Sequence, residues 1–284
     1  MTHVARSFLK WPGNKFNLIP QIQPHFSDVK LFVEPFAGSG VVHLNMNHNQ
    51  PALVADINPD LINIFKEIQV RPDEFIETSK SMFTKSNNTQ DQYLEFRSQY
   101  NTTLNTFDRA VLLFYLNRHS YNGLVRYNLS GHFNVPFGRF DNVYFPENEM
   151  LNFHKRSKNV EYVCADFATV IKSVEDEKNI GLYLDPPYMP LDNSTSNFTS
   201  YFGSFGFQEH IALANYARTI GKGESVSVIS NHDSSVTRMM YEGAEIFEFS
   251  VPRRISCKGQ SRNPVPELLA VFQQKELSNY HFVL

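Results

Sequence analysis

The sequence predicts an α/β fold: a parallel, doubly wound sheet carrying a mostly helical insertion. Three observations predict it. Short apolar runs bounded by turn residues recur at 31–35, 52–56, 160–164, 181–185, 225–230 and 267–272, each the length of a buried strand. Helical periods at 58–68, 208–220 and 233–241 lie between them, and strand–helix alternation is the pattern of a parallel sheet. From about 70 to 150 that alternation stops.

Taken in order, residues 31–35 form an apolar strand that runs into a glycine-containing turn, and an apolar helical stretch is expected after it. The second strand, 52–56, ends in Asp56 and is followed by a helix. The stretch 70–150 contains two amphipathic helical patterns, near 90–101 and 106–118, a polar loop at 85–91, and no further parallel strand. Strands at 160–164, 181–185, 225–230 and 267–272 complete the sheet, and the alternating run 246–251 adds an extra one. The 284 residues therefore divide into a sheet domain of 1–69 and 151–284 and an insertion of 70–150.

Composition removes several classes. Apolar residues at 42% support a packed core. Cys164 and Cys257 are too few for a disulfide framework, and no C-x-x-C pair marks a zinc site. The N-terminus has no secretory apolar segment, and no run reaches the roughly 18 apolar residues of a membrane span. A cytoplasmic protein without membrane, metal or obligate protein partner is expected.

The net charge of −3 taken alone speaks against nucleic acid. Its distribution does not. Residues 1–27 carry +3, 97–140 carry +4 and 250–265 carry +4, which leaves −14 on the rest of the chain. Three basic windows on an acidic body fit a polyanion-binding face. The window 250–265 is expected to clamp a phosphate backbone through Arg253, Arg254 and Lys258.

Two constellations carry chemistry. The motif E-P-F-A-G-S-G at 34–40 follows the first strand, and Gly38 and Gly40 allow a tight turn and close approach to a ligand. In a doubly wound sheet this turn holds a nucleotide-like cofactor, and Asp56, ending the second strand, can accept from ribose hydroxyls. The third glycine of the pyrophosphate fingerprint is absent, which favours a cofactor without a diphosphate, such as S-adenosylmethionine (AdoMet). Asp166 and Phe167 follow the third strand and read equally as an adenine acceptor with a packing ring or as a helix cap with a core aromatic.

The second constellation is D-P-P-Y at 185–188. Two prolines remove two backbone donors and fix an extended turn. The Asp185 carboxylate, the Pro186 carbonyl and the Tyr188 ring fit an aromatic amine: two acceptors for its N–H groups and a face for its ring. Those acceptors favour a pyramidal nitrogen with a directed lone pair. The polar loop 189–204 is expected to close over the bound base.

These blocks, with F-L-K-W-P-G-N-K at 8–15 and Y-L-N-R-H-S-Y-N-G-L-V-R-Y-N at 115–128, resemble the DNA adenine methylase family over nearly the whole chain. The resemblance implies a Rossmann-like, AdoMet-dependent methyltransferase sheet and a target-recognition insertion at 70–150. It implies that Trp11, Lys15, Asp56 and Asp185 contact AdoMet; together with Phe36, Gly38, Gly40, Asp166 and Phe167 these make up the expected cofactor site. Asp185, Pro186 and Tyr188 would receive the target adenine. Arg126 would read a guanine, Leu124 and Pro136 a thymine methyl, and Lys10 the first guanine, within GATC in double-stranded DNA. Tyr121 and Asn122 would fill the space left by the flipped base, with Arg97, Arg118, Asn128, Asn134 and Arg139 near phosphates.

Two departures stand out. Asn14 replaces a glycine often found before the lysine, and Phe140 replaces a tyrosine; Asn tolerates a left-handed backbone, so the turn is expected to persist. Other substrates share parts of the pattern: a longer DNA site, RNA adenine, or a protein glutamine, as does a non-catalytic DNA-binding module. Mismatch repair and restriction–modification are both compatible settings.

Overall fold

The computed structural model describes residues 4–189, 205–251 and 265–274. Residues 190–204 of the expected closing loop at 189–204, and the basic residues 252–264 with Cys257, lie outside the described residues. Seven strands form: β1 (Leu31–Glu34), β2 (Ala52–Asp56), β3 (Val160–Cys164), β4 (Ile180–Leu184), β5 (Val226–His232), β6 (Glu245–Val251) and β7 (Val265–Gln273). They make one sheet in the order β3-β2-β1-β4-β5-β7-β6.

The pairs among β1 to β5 are parallel. β7 runs antiparallel between β5 and β6. The α/β fold is thus the one the alternation predicts, and the antiparallel insertion is what it does not: the apolar run 268–272 marks a strand but carries no sign of direction. The strand order reverses between β1 and β4, and in such sheets ligands bind in the crevice beyond the strand ends at that switch point. Both motifs, 34–40 and 185–188, begin there.

Nine α-helices occur among the described residues: α1 (Ile19–Ile22), α2 (Pro59–Val70), α3 (Pro72–Ser81), α4 (Gln90–Thr102), α5 (Thr106–His119), α6 (Glu147–Arg156), α7 (Phe167–Ser173), α8 (Phe207–Ile220) and α9 (Ser235–Met240). Their starts follow local chemistry. Asn58, Thr89, Asn105, Asp166 and Ser234 each cap a helix with a side-chain oxygen, satisfying amides with no partner in the first turn. α3 and α6 were not evident in the sequence because each buries only two or three side chains, Phe75, Ile76 and Ser79 in one and Met150 and Phe153 in the other.

The turn after Gly40 departs from expectation. Instead of a regular helix there is a single 3-10 turn, His43–Asn45. The Asn45 amide donates to the Val41 carbonyl at 2.7 Å and to Ala5 O at 2.9 Å, and its Oδ1 accepts from Ala5 N at 2.7 Å. A side chain that takes the i−4 carbonyl competes with helix propagation.

The core has three parts. One lies under α7 and α8, around Leu182, Leu184, Leu213 and Ile229. A second lies under α1, around Phe26, Phe32 and Tyr183. The largest joins α2 and β3 to the 70–150 region: Phe65 and Tyr162 share it with Phe75, Tyr100 and Phe114. Phe8 sits inside it, fully buried, with ring centres 6.5, 5.9 and 5.0 Å from Phe65, Phe114 and Phe153. The inserted region is thus packed as part of the same body. Among the described residues, no helix is long and apolar enough to cross a membrane.

Candidate active site and nucleic-acid interface

A cavity of about 800 Å³ opens at the switch point. Trp11, Lys15, Phe36, Gly38, Asp56, Asp166, Phe167, Asp185, Pro186 and Tyr188 all line it. Residues distant in sequence meet there because β1, β2, β3 and β4 all end at the same edge of a parallel sheet. Gly40 lies behind the lining with φ of 73°, and a Cβ there would stand 2.6 Å from the His43 ring.

On one side of the cavity, the Asp56 carboxylate accepts from Gly38 N at 3.0 Å and Asn58 N at 2.9 Å. Burial raises its pKa, opposed by those backbone bonds. Gly38 has φ of 48°, and a Cβ would come 3.1 Å from the Trp11 ring, so Trp11 can close over the turn only with glycine beneath it. Phe36 stacks on Phe167 at 5.6 Å, and Phe205 meets both edgewise or tilted. Asp166 lines this wall and also caps α7: Oδ1 accepts from Ala168 N and Thr169 N at 3.0 Å, Oδ2 from the Thr169 hydroxyl at 2.6 Å. Those bonds, that of the Thr169 hydroxyl first, hold its pKa below the usual value.

On the other side is the D-P-P-Y turn. Lys15 Nζ forms an ion pair with Asp185 Oδ2 at 2.8 Å, donates to Gly13 O at 2.7 Å and lies 4.8 Å from the Tyr188 ring centre. Asp185 Oδ1 is buried and has no hydrogen-bond partner among the described residues. Burial pushes the Asp185 carboxyl upward, against the pull of Lys15. The Tyr188 hydroxyl donates to Glu267 Oε2 at 3.1 Å, and its ring meets His232 edge-on at 4.9 Å. His232 Nδ1 reaches Met189 O at 2.7 Å, so the turn is braced from β5 and β7.

The turn before Lys15 is made by Gly13, φ 73°, and not by a left-handed Asn14. Asn14 works through its side chain, accepting from Phe16 N at 2.8 Å and donating to Ser39 Oγ at 3.2 Å.

Sequence reasoning missed Glu34, Glu267, His232 and Phe205, which also line the cavity. Glu34 is fully buried, accepts from His43 N and pairs with His43 Nδ1, and burial raises its pKa against the effect of that histidine. The available signal was an acid inside or heading an apolar strand, at 31–34 and 267–272.

The basic window 97–140 folds as α4, α5 and a hairpin-like loop closed by antiparallel bridges Ser120–Phe137 and Tyr127–Phe133. Tyr121, Asn122, Arg126, Asn128, Pro136 and Arg139 are exposed on it, with Leu124 and Asn134 partly so. Asn122 and Arg139 adopt left-handed φ of 54° and 53°. Arg126 Nε donates to Asn134 Oδ1 at 2.8 Å, and Asn128 Oδ1 closes the tip by accepting from Ser130 N and His132 N.

Lys10, Arg97 and Arg118 sit lower. Arg97 donates to Val135 O at 3.3 Å. Arg118 is buried, with Nη2 donating to Tyr144 O at 2.9 Å, so its guanidinium supports the loop's base in this structure. Lys10 Nζ donates to Arg118 O at 3.2 Å and lies 4.3 Å from the Phe140 ring centre. Burial, then the Arg118 charge, lowers the Lys10 pKa to about 8.

Comparison with known proteins gives the family. The D12 class N6 adenine-specific DNA methyltransferase family matches residues 11–255. The DNA adenine methylase of Vibrio cholerae is 41% identical over 269 residues, covering 94% of this chain and 96% of that protein. That of Escherichia coli K12 is 40% identical, covering 94% and 95%, and that of Haemophilus influenzae 42% identical, covering 94% and 93%. A methyltransferase requires a methyl donor and, in this family, DNA as acceptor. With the family matched across most of its length, the chain belongs to the D12 class of N6 adenine-specific DNA methyltransferases.

Proposed function

We propose that this chain transfers a methyl group from AdoMet to adenine N6 within GATC in double-stranded DNA, after flipping the base into the D-P-P-Y turn. The observation that carries the reading is the shared cavity: Asp56 and Gly38 at one end, Lys15, Asp185 and Tyr188 at the other. The residues fit AdoMet. A buried carboxylate beside a bare glycine backbone suits a ribose, the Phe36, Phe167 and Phe205 rings suit an adenine, and Trp11 and Lys15 flank the methionine side. Bound there, AdoMet supplies an electrophilic methyl on a sulfonium.

The protein's part is positioning and electrostatics. Asp185 accepts one amine hydrogen, the Pro186 carbonyl the other, and Tyr188 stacks on the base. Asp185 need not be a strong base, because the amine becomes acidic only as the new bond forms. Its raised pKa is compatible with that late proton transfer.

Specificity is assigned to the exposed loop. Arg126 suits guanine O6 and N7, and Tyr121 is exposed enough to compensate lost stacking when the base leaves the duplex. The 70–150 region acts as the recognition insertion, and the enzyme works in the cytoplasm at the nucleoid, where its substrate lies. The test is incubation with AdoMet and plasmid DNA, then digestion with nucleases that distinguish methylated from unmethylated GATC. Protection at GATC is expected. Methylation of RNA, or of a different DNA site, would overturn the assignment.

A further inference from the structure

A polar chain, buried at Asn58, Asp60 and Tyr100 and partly buried at Asp56, Arg109 and Tyr127, runs from the cofactor turn to the recognition loop. Gly38 N donates to Asp56, and Asn58 N donates to the other Asp56 oxygen. Asn58 Oδ1 accepts from Asp60 N at 3.0 Å. The Asp60 carboxylate is neutralised by Arg109 of α5, Nε to Oδ1 at 2.5 Å and Nη2 to Oδ2 at 2.9 Å. Two hydroxyls also donate to Oδ2: Tyr100 of α4 at 2.5 Å and Tyr127 of the loop at 3.3 Å. The two hydroxyls are 3.0 Å apart. Tyr127 lies between Arg126 and Asn128 and forms the bridge to Phe133.

A satisfied network around a buried carboxylate fixes the elements it joins, since a shift leaves that charge unpaired. We propose that the Asp60–Arg109–Tyr100–Tyr127 cluster is a positioning device that ties the cofactor turn to the recognition loop, so that binding at either site strengthens binding at the other. The inference rests on the AdoMet and DNA reading above. Tyr127 acts through its neighbours and touches neither ligand in this account. Coupling of this form is reciprocal.

The test uses S-adenosylhomocysteine, which cannot react, and a GATC duplex. Its Kd is measured by calorimetry with and without the duplex, for wild type, Tyr127→Phe and Tyr93→Phe. Wild type should bind at least about 5-fold more tightly with DNA, within the usual range of such couplings, and Tyr127→Phe should bring that ratio close to one. Tyr93→Phe removes another buried hydroxyl that supports the same loop, at Val135 O, but not one on Asp60; it should keep the wild-type ratio. Both variants keep their rings, and thermal melts check their folding. A wild-type ratio of one, an unchanged ratio in Tyr127→Phe, or an equal loss in Tyr93→Phe would each overturn the tie. Wild type binding neither probe would instead overturn the methyltransferase reading, and the tie with it.

Discussion

Lys15 Nζ stands 2.8 Å from Asp185 Oδ2, while the second carboxylate oxygen is buried with no partner among the described residues. One oxygen is held by a cation and the other is available to an amine. The ammonium also faces the Tyr188 ring at 4.8 Å, so it borders the surface proposed to stack on the base.

The pair predicts a pH dependence. Burial raises the Asp185 pKa and Lys15 lowers it. If the carboxylate is the working form, activity is present above its pKa and lost as pH falls through it. Lys15→Met removes the opposing cation, so the pKa rises further and the acid limb of the kcat profile moves to higher pH. An unmoved limb would show that Lys15 does not set the Asp185 charge state.

Asp185→Ala should fold and lose at least roughly 100-fold in turnover, the scale for removing one positioned polar group from a transition state. Transfer of radiolabel from AdoMet to a GATC duplex measures it. Near-normal turnover would exclude Asp185 as the amine acceptor.

Arg126→Ala should relax choice at one base pair. A bidentate contact discriminates by about 1–3 kcal/mol, so kcat/KM on the correct duplex should approach that on a duplex altered at the guanine. Equal weakening on every sequence, with a shallower salt dependence, would identify Arg126 as a phosphate contact.

Phe8→Ala should destabilise the whole molecule by about 3–5 kcal/mol, as for a fully buried Phe. Denaturant unfolding should show one transition at lower midpoint. Two separated transitions would mean that the sheet and the inserted region do not share a core.

Much of this was legible because it is local. Period-2 and continuous apolar runs mark the strands, helical periods mark 58–68 and 106–118, and D-P-P-Y advertises a rigid acceptor turn. The cavity lining followed from one topological fact, that parallel strands end on the same side. Glu267 was not legible: it meets Tyr188 only because β7 inserts antiparallel beside β5, pairing Glu267 with His232. Arg118 is expected near a phosphate from sequence, yet it is buried and donates to the Tyr144 carbonyl. Asn45 turned an expected helix into a single 3-10 turn through side-chain bonds that no apolar pattern records.

The aromatic cluster around Phe8 constrains how target choice can change over evolutionary time. Residues of the sheet domain and of the inserted region interlock in it, so the region proposed to recognise DNA is not a cassette that could be exchanged whole between relatives. A foreign insert would leave Phe8, Phe65 and Phe153 without matching partners. On the proposed reading, new specificity has to arise by point changes on the exposed loop, at positions such as Leu124, Arg126 and Pro136, while the buried face beneath stays fixed.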